Sequence, residues 1–554
     1  MKMRKLFTCI MALFMMFSAF AGCKPGGGVS DDKSQLNIGL FKAGLGSKWL
    51  DEAMEDFTEF YAETSFEEGK MGVELIKDEK TEEFKPDKLS STMSYNENAI
   101  YFLDQADLEM YETSGLLEDI STTVKEKVYD EEGNLAAATG KTAVKSIVDM
   151  INKDADKEFN RNGTYYALPY YASISGIIYD ADLFNEKGYY FYNDGTFGAK
   201  QADIDLGVNG DIGTGPDGKV GTADDGMPVT WKDFVSLMKQ MANEDNLIPF
   251  TWAGKTIYQS VYATRSIWAN YQGANDYAIN NSLSGTLSNG ILVTEDNFKE
   301  TLIDQDGRKA AIAAFYDIMS NPKYYSENAI LQDHKAAEFE YIDSINMGKR
   351  IAFFMEGGYW ESEARTFFDT AAILDENLGY GKRDFRLFPI PNFVGDSRVP
   401  NQTNTQEPEV LLGFGTESIA CIPKQNTCKN PEVQKTLAKL FLQFIHSREQ
   451  LSNFTANTGG CIRPFAFTVD DEELKNYTKF GKSIYKYIDE GATIVFDYRS
   501  EKRQEIDGAA EYKWTFEFKV GDVVINDPAT AFYKYPKMTV EEMYQKITET
   551  LRKI

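Results

Sequence analysis

From residue 36 onward the chain alternates short apolar runs with longer amphipathic ones, the pattern of strands and helices layered in an α/β protein. Residues 36–41 (LNIGLF), 73–76 and 99–103 (AIYFL) read as strands. Residues 48–61 read as a helix capped by Ser47, with Trp49, Leu50, Ala53, Met54, Phe57, Phe60 and Tyr61 on one face. Asp51 and Glu52 suit the positive end of its dipole. The third strand stops abruptly at Asp104-Gln105, polar residues at the carboxyl edge of a sheet, where open α/β folds bind ligands. Further on, residues 165–180 (YYALPYYASISGIIYD) form a strand followed by a short helix, and TWKDFVSLMKQMA from Thr230 a longer one. Asn430 and Pro431 open another helix with Val433, Leu437, Leu440, Phe441 and Phe444 on one side. Thr539 and Glu542 form a capping box for a terminal helix striped by Val540, Met543, Ile547 and Leu551.

The start of the chain differs from the rest. Lys2, Arg4 and Lys5 precede an apolar run at 6–20, too short to span a bilayer comfortably, and small residues follow: an export signal. Phe20-Ala21-Gly22-Cys23 resembles the lipobox of bacterial lipoproteins, with Phe where that box prefers Leu. The resemblance implies that Cys23 is lipidated and that the protein is held at the outer face of the cytoplasmic membrane. Residues 24–35 then form a flexible tether.

Composition narrows the function. The 554 residues, 42% hydrophobic, are enough for two to four compact units, and no second apolar run reaches spanning length. The net charge of −28 becomes about −31 once the basic leader is removed, which excludes nucleic acid as a partner for want of clustered cations. Beyond the leader only Cys421, Cys428 and Cys461 remain, so at most one disulfide can form, its pairing undecided, and a zinc site is not indicated. Of the two histidines, His446 falls in an amphipathic stretch and reads as a helix-surface residue. Catalytic triads have almost no histidine to draw on, and the nucleophile-elbow, zinc-protease and P-loop motifs do not occur.

Six segments in order resemble the extracellular solute-binding proteins of sugar transporters, the maltose-binding-protein-like family 1. They are SGLLEDI (114–120), YALPY through IIYD (166–180), MGKRIAFFMEGGYW (347–360), FRLFPIPNF (385–393), NTGGCIRP (457–464) and the terminal helix TVEEMYQKITETLRKI. The resemblance implies a two-lobed, periplasmic-binding-protein-like α/β fold of type II. Each lobe is then a mixed, mainly parallel sheet flanked by helices, with a hinge between lobes. Lobe one would take residues 36–169 and 386–450, and lobe two 170–385 and 451–554. It also implies a monomer that is no enzyme, and that hands an oligosaccharide to a permease and its ATPase.

A sugar cleft calls for flat aromatics and bidentate polar groups. Tyr170 and Tyr171 sit at the predicted crossing, Trp252 and Tyr258 follow a strand-like run at 247–251, and Tyr359 and Trp360 follow Gly357-Gly358. By resemblance Trp360 matches the family's sugar-stacking tryptophan and Asp104 its hydroxyl-binding acid; Gln105, Glu356, Glu361 and Arg463 are further polar candidates. Trp360 is expected to face the cleft, and Trp268, at helical spacing from Ile267, to be buried. The rival reading is a secreted glycoside hydrolase or lyase, which needs two carboxylates flanking a bond. Among 86 acidic residues such a pair proves nothing. A surface adhesion lipoprotein would show repeats, and none is present.

One insertion, residues 203–226 (DIDLGVNGDIGTGPDGKVGTADDG), has no apolar period. Asp205, Asn209, Asp211, Asp217, Asp224 and Asp225 could converge on Ca²⁺, although Pro216 stands where an EF-hand loop needs its bidentate Glu. A solvated acidic loop is the alternative. No cofactor is required, and calcium would be structural.

Overall fold

The computed structural model describes residues 31–205, 211–256, 258–399, 402, 409–508 and 513–554; the leader and Cys23 lie outside them. Strand β1 (Ser34–Phe41) runs parallel to β2 (Val73–Lys80) and β3 (Ile100–Leu103). Helix Lys48–Phe60 buries Trp49, Leu50, Ala53 and Phe57 in the same core. After several short helices the chain returns as β4 (Ala167–Pro169) and passes through Tyr170 and Tyr171 into β5 (Ala172–Asp180). Every residue of β5 is buried, because it is the central strand of a second sheet. That sheet is completed by β6 (Leu247–Trp252), β7 (Arg350–Glu356), β8 (Phe385–Leu387) and β9 (Val410–Phe414). Residues 415–418 carry the chain back to β10 (Ile419–Cys421), inserted between β3 and β4. Helices Pro431–Phe444 and Arg448–Thr458 follow, and Gly459-Gly460 cross once more to β11 (Cys461–Ile462) beside β5. Last comes β12 (Thr493–Phe496), parallel to β9.

The first sheet has the order β2-β1-β3-β10-β4, and the second β12-β9-β5-β7-β6 with β8 and β11 also on β5. In the second, β5 is antiparallel to β7, β8, β9 and β11, whereas β6 with β7 and β9 with β12 are parallel pairs. These are the two mixed sheets flanked by helices that the resemblance implies, but the expectation that each is mainly parallel is corrected: the first sheet divides evenly between parallel and antiparallel pairs, and antiparallel pairs prevail in the second because β5 runs against the strands that join it.

Two expected boundaries are corrected. The return at residue 386 does not occur there, since β8 and β9 both pair with β5 and the chain leaves the second sheet only after Phe414. The later switch at residue 450 would cut helix Arg448–Thr458, whose Leu451 and Phe454 belong to the first core. Short apolar strands read alike in sequence whichever sheet they join, so pairing decides. Ser47 makes no side-chain cap; its hydroxyl accepts from Lys77 Nζ at 3.1 Å. The Thr539 and Glu542 capping box forms.

The chain thus crosses between sheets three times, through residues 170–171, 415–418 and 459–460. The crossings are held by backbone contact. Gly460 N donates to Gly358 O at 2.9 Å, and Gly358 N donates to Ser173 Oγ at 2.7 Å. A Cβ on Gly358 would lie 2.5 Å from Ile174 O and 2.8 Å from Gly460 O, both backbone atoms that cannot step aside. Gly358→Ala is therefore expected to lower stability by about 1 to 3 kcal/mol. Urea unfolding of the variant checks this, and a midpoint equal to wild type would show that the crossings are not packed so tightly.

Candidate functional site

Because β5 lies mid-sheet and carries the first crossing, the space between the sheets divides into two flanks. On one flank the ends of β6 and β7 face the loop after β1. Glu363, in the short helix Trp360–Glu363, touches this loop directly: its carboxyl carbon lies 3.0 Å from where a Cβ on Gly44 would sit. On the other flank, residues 497–508 after β12 face residues 106–112 and 157–161 across a groove of about 820 Å³. The groove carries charges of both signs, among them Glu112, Glu158, Arg161 and Arg499. A separate cavity of about 610 Å³ opens at the amino ends of β9 and β12, against the acidic insertion.

The expected ligand residues lie around the crossings and the first flank, but most of them are inside. Asp104 is half-buried after β3; its Oδ1 accepts from Ser418 Oγ at 2.8 Å and Tyr171 OH at 3.1 Å, so it joins the first two crossings. Burial raises its pKa against those two hydrogen bonds. Gln105 follows in the left-handed region, φ 52°, with its side chain exposed. Tyr359 is half-buried beside Gly357. These three keep surface.

The other expectations are corrected. Trp360 is fully buried: Tyr341, Phe354, Phe368, Phe385 and Phe480 surround it with ring centroids 5.0 to 5.9 Å away. The Gly357-Gly358 turn presses against the crossings, and Trp360 beyond it packs into this core rather than into the cleft. Trp252 is buried beside Tyr325. Tyr170 and Tyr171 are buried in the first core, Tyr170 against Trp49 and Phe102. Arg463 stacks on Trp49 and Phe454 and donates to Ile445 O at 2.6 Å, and burial pulls its pKa down to about 9. Glu361 is buried, which pushes its carboxyl up to about 7. The side chain of Tyr258 lies outside the described residues. Trp268 is buried as its spacing predicts, its Nε1 donating to Gln305 and Arg308 lying 4.4 Å over its ring.

His446 is corrected too. It is buried against Phe465, its Nδ1 lies 2.7 Å from Leu442 O, and burial depresses its pKa to about 3. Cys421, Cys428 and Cys461 are all free and buried.

In the insertion, Asn209 and the side chain of Asp205 lie outside the described residues. The carboxylates of Asp217, Asp224 and Asp225 serve their own loop. Asp224 accepts from Asp217 N at 2.9 Å and Thr222 Oγ1 at 2.7 Å, and Asp225 accepts from Gly221 N at 2.7 Å. Asp217 accepts from Lys219 N, and the backbone of Asp211 from Asn193 N. Among the described residues no three His, Cys, Asp or Glu side chains are placed to hold a metal.

Sequence reasoning named Glu356 but missed Glu338 and Glu363, the carboxylates it meets on the first flank. Glu356 ends β7, its Oε1 accepting from Gly357 N at 2.8 Å and Gln259 Nε2 at 3.2 Å; burial first, then Glu363, raises its pKa to about 8. Glu338, on helix His334–Asp343, is fully buried beside Glu363. An acidic residue on an unstriped helix gives no warning of this in sequence.

Two measurements follow. Trp360→Ala is expected to cost about 3 to 5 kcal/mol by opening a cavity in an aromatic core. A melting temperature near wild type would return Trp360 to the surface.

The second measurement is stability against pH. Glu356, Glu361, Glu158 and Asp224 hold their protons in the fold up to about pH 7 to 8, while in the unfolded chain they release them near 4. Their stabilisation is complete below the unfolded pKa and is lost as pH rises towards the folded one. His446 works the other way below pH 6.5, one group against four. Melting temperature is expected to fall from pH 5.5 to 8, and a rise would refute the burial of these carboxyls.

No family model matches the chain, and no curated protein matches it. Solved structures do. RafE from Streptococcus pneumoniae, in its apo form, matches with TM-score 0.51 and 14% identity over 95% of this chain and 99% of its own. Maltose-bound MalE3 of T. maritima gives 0.51 and 14% over 94% and 99%. A chitin oligosaccharide binding protein gives 0.50 and 13% over 93% and 98%. With two mixed sheets, three crossings and this likeness along nearly the whole described chain, the protein has the two-lobed α/β fold of the periplasmic binding proteins.

Proposed function

We propose that this chain is the carbohydrate-capturing, non-catalytic subunit of an importer, closing its two lobes on an oligosaccharide and passing it to a membrane permease driven by an ATPase. The observation that carries the reading is the set of three crossings. They join two otherwise separate sheets at one place, the connection a hinge needs. The structural neighbours support the ligand class, since one is bound to maltose and another is named for chitin oligosaccharide. Contacts from both lobes are then completed only on closure, so ligand shifts the population toward the closed form.

The leader supports lipidation at Cys23 and a working position outside the cytoplasmic membrane. No helix of the described residues is long and apolar enough to cross a membrane. Calcium in the 203–226 insertion is a separate proposal supported by its aspartate spacing alone; elemental analysis finding none would end it.

A thermal-shift and calorimetry screen of defined mono- and oligosaccharides tests the main reading. A saturating ligand at a hundred times its Kd is expected to stabilise the fold by about 2.7 kcal/mol. Chromatography of the best ligand after long incubation should return it unchanged. Cleavage at an enzymatic rate would replace this reading with the hydrolase.

A further inference from the structure

Three carboxylates meet where the lobes meet, with no arginine set against them. Glu338 is fully buried, and neither of its oxygens has a hydrogen-bond donor among the described residues. Its neighbour within hydrogen-bonding reach is another acceptor, Glu363, and Glu356 adds to the repulsion from the end of β7. Glu356 Oε2 is likewise buried without a donor. The basic groups nearby are weak counterparts. Lys335 is exposed, and His334 Nε2 stands 3.6 Å from Glu363 on the rim. Glu363 in turn touches the loop at Gly44, so the cluster lies against the opposite lobe and not deep within one.

Two other buried acids of the fold are closed by arginines. Asp180 receives Arg350 and Arg383, and Asp497 receives a two-pronged Arg265 with Nη2 to Oδ1 at 2.6 Å. An unpartnered buried carboxyl carries a cost that such pairing removes, so a cluster lacking it is fitted to a partner that comes from outside. The spacing does not close three ligands around one metal ion. A primary ammonium is better suited: it has three donors, each able to reach a different carboxylate at about 2.7 to 2.9 Å.

We infer that the ligand carries a protonated amine, and that Glu338, Glu356 and Glu363 receive it at the lobe interface. Resting on the carbohydrate reading, this makes the ligand an amino sugar with a free ammonium in place of a hydroxyl or an acetamide. Burial and the neighbouring carboxylates raise the affinity of Glu338 and Glu356 for protons in the empty site, so an arriving ammonium displaces a proton there.

The test uses matched sets that differ at one substituent: glucose, glucosamine and N-acetylglucosamine, as monomers and as β-1,4-linked trimers, with spermidine as a non-sugar amine. The amine member is expected to bind about ten- to a hundredfold more tightly than its hydroxyl and acetamide counterparts, the range for charge-assisted hydrogen bonds. Glu338→Gln and Glu363→Gln should each collapse that ratio. Glu338→Gln replaces a buried carboxyl that holds its proton in the empty site by a neutral amide of nearly the same shape, and should melt close to wild type. Should it fail to fold, Glu363→Gln at the rim carries the test. Equal binding of neutral and amino members, or a ratio untouched by both variants, overturns the amine inference and leaves carbohydrate capture standing. Spermidine binding with no sugar overturns the carbohydrate reading and upholds the carboxylate assignment. Binding by none of the probes overturns both.

Discussion

The close backbone packing at the three crossings constrains everything else in this molecule. Strand β5 starts at the first crossing, and β7, β8, β9 and β11 all pair with it, so the second sheet is assembled around the point where the chain enters it. Gly358 and Gly460 touch backbone to backbone, which brings the end of β7 against the third crossing. Asp104 reaches from the first sheet to Ser418 and Tyr171 and ties the other two together. Side chains near this node have little room for a ligand. The flanks to either side of it are where the two lobes can part and close.

That constraint also explains how much was legible in the sequence. Hydrophobic period located the elements well, because period records which side of an element faces a core and needs no knowledge of the partner. The alternation found β1, β3 and β5, and the Thr539 capping box is present as read. Sheet membership was not legible. β8 and β9 are apolar runs that suit either sheet, and only the register with β5 assigns them. Trp268 and Trp360 show the same limit at single residues. A helical neighbour pattern betrays a buried ring, whereas after Gly-Gly the direction of Trp360 depends on Phe385 and Phe480, which arrive from later in the chain.

The candidate site was legible mainly at its edge. Asp104 and Gln105 follow from a general rule about strand ends, and they sit beside the crossings where that rule puts them. Resemblance placed Trp360, Glu361 and Arg463 near the site in the chain but could not say which way each points. His446 fails for a related reason: an amphipathic helix was visible, but not Phe465 packing over the ring from the next segment. Glu338, Glu356 and Glu363 belong to three elements that no spacing rule connects.

All six tryptophans of this chain are buried. Trp49, Trp252 and Trp360 each belong to an aromatic cluster, and among the expected aromatic platforms with described side chains only Tyr359 keeps partial exposure at the lobe interface. A cleft without a tryptophan platform gains little from ring faces and must draw its selectivity from polar groups. Such groups discriminate strongly, because a buried donor or acceptor left unmade costs more than a made hydrogen bond returns. Some carboxylates, such as Asp104 and Asp224, are held by hydroxyl and backbone donors, and two further arrangements stand apart. Where the fold itself must be fixed, as at Asp180 and Asp497, arginines close on the acid. At the lobe interface the acids stand without such partners, and the free energy withheld there during folding remains available to whatever closes the lobes.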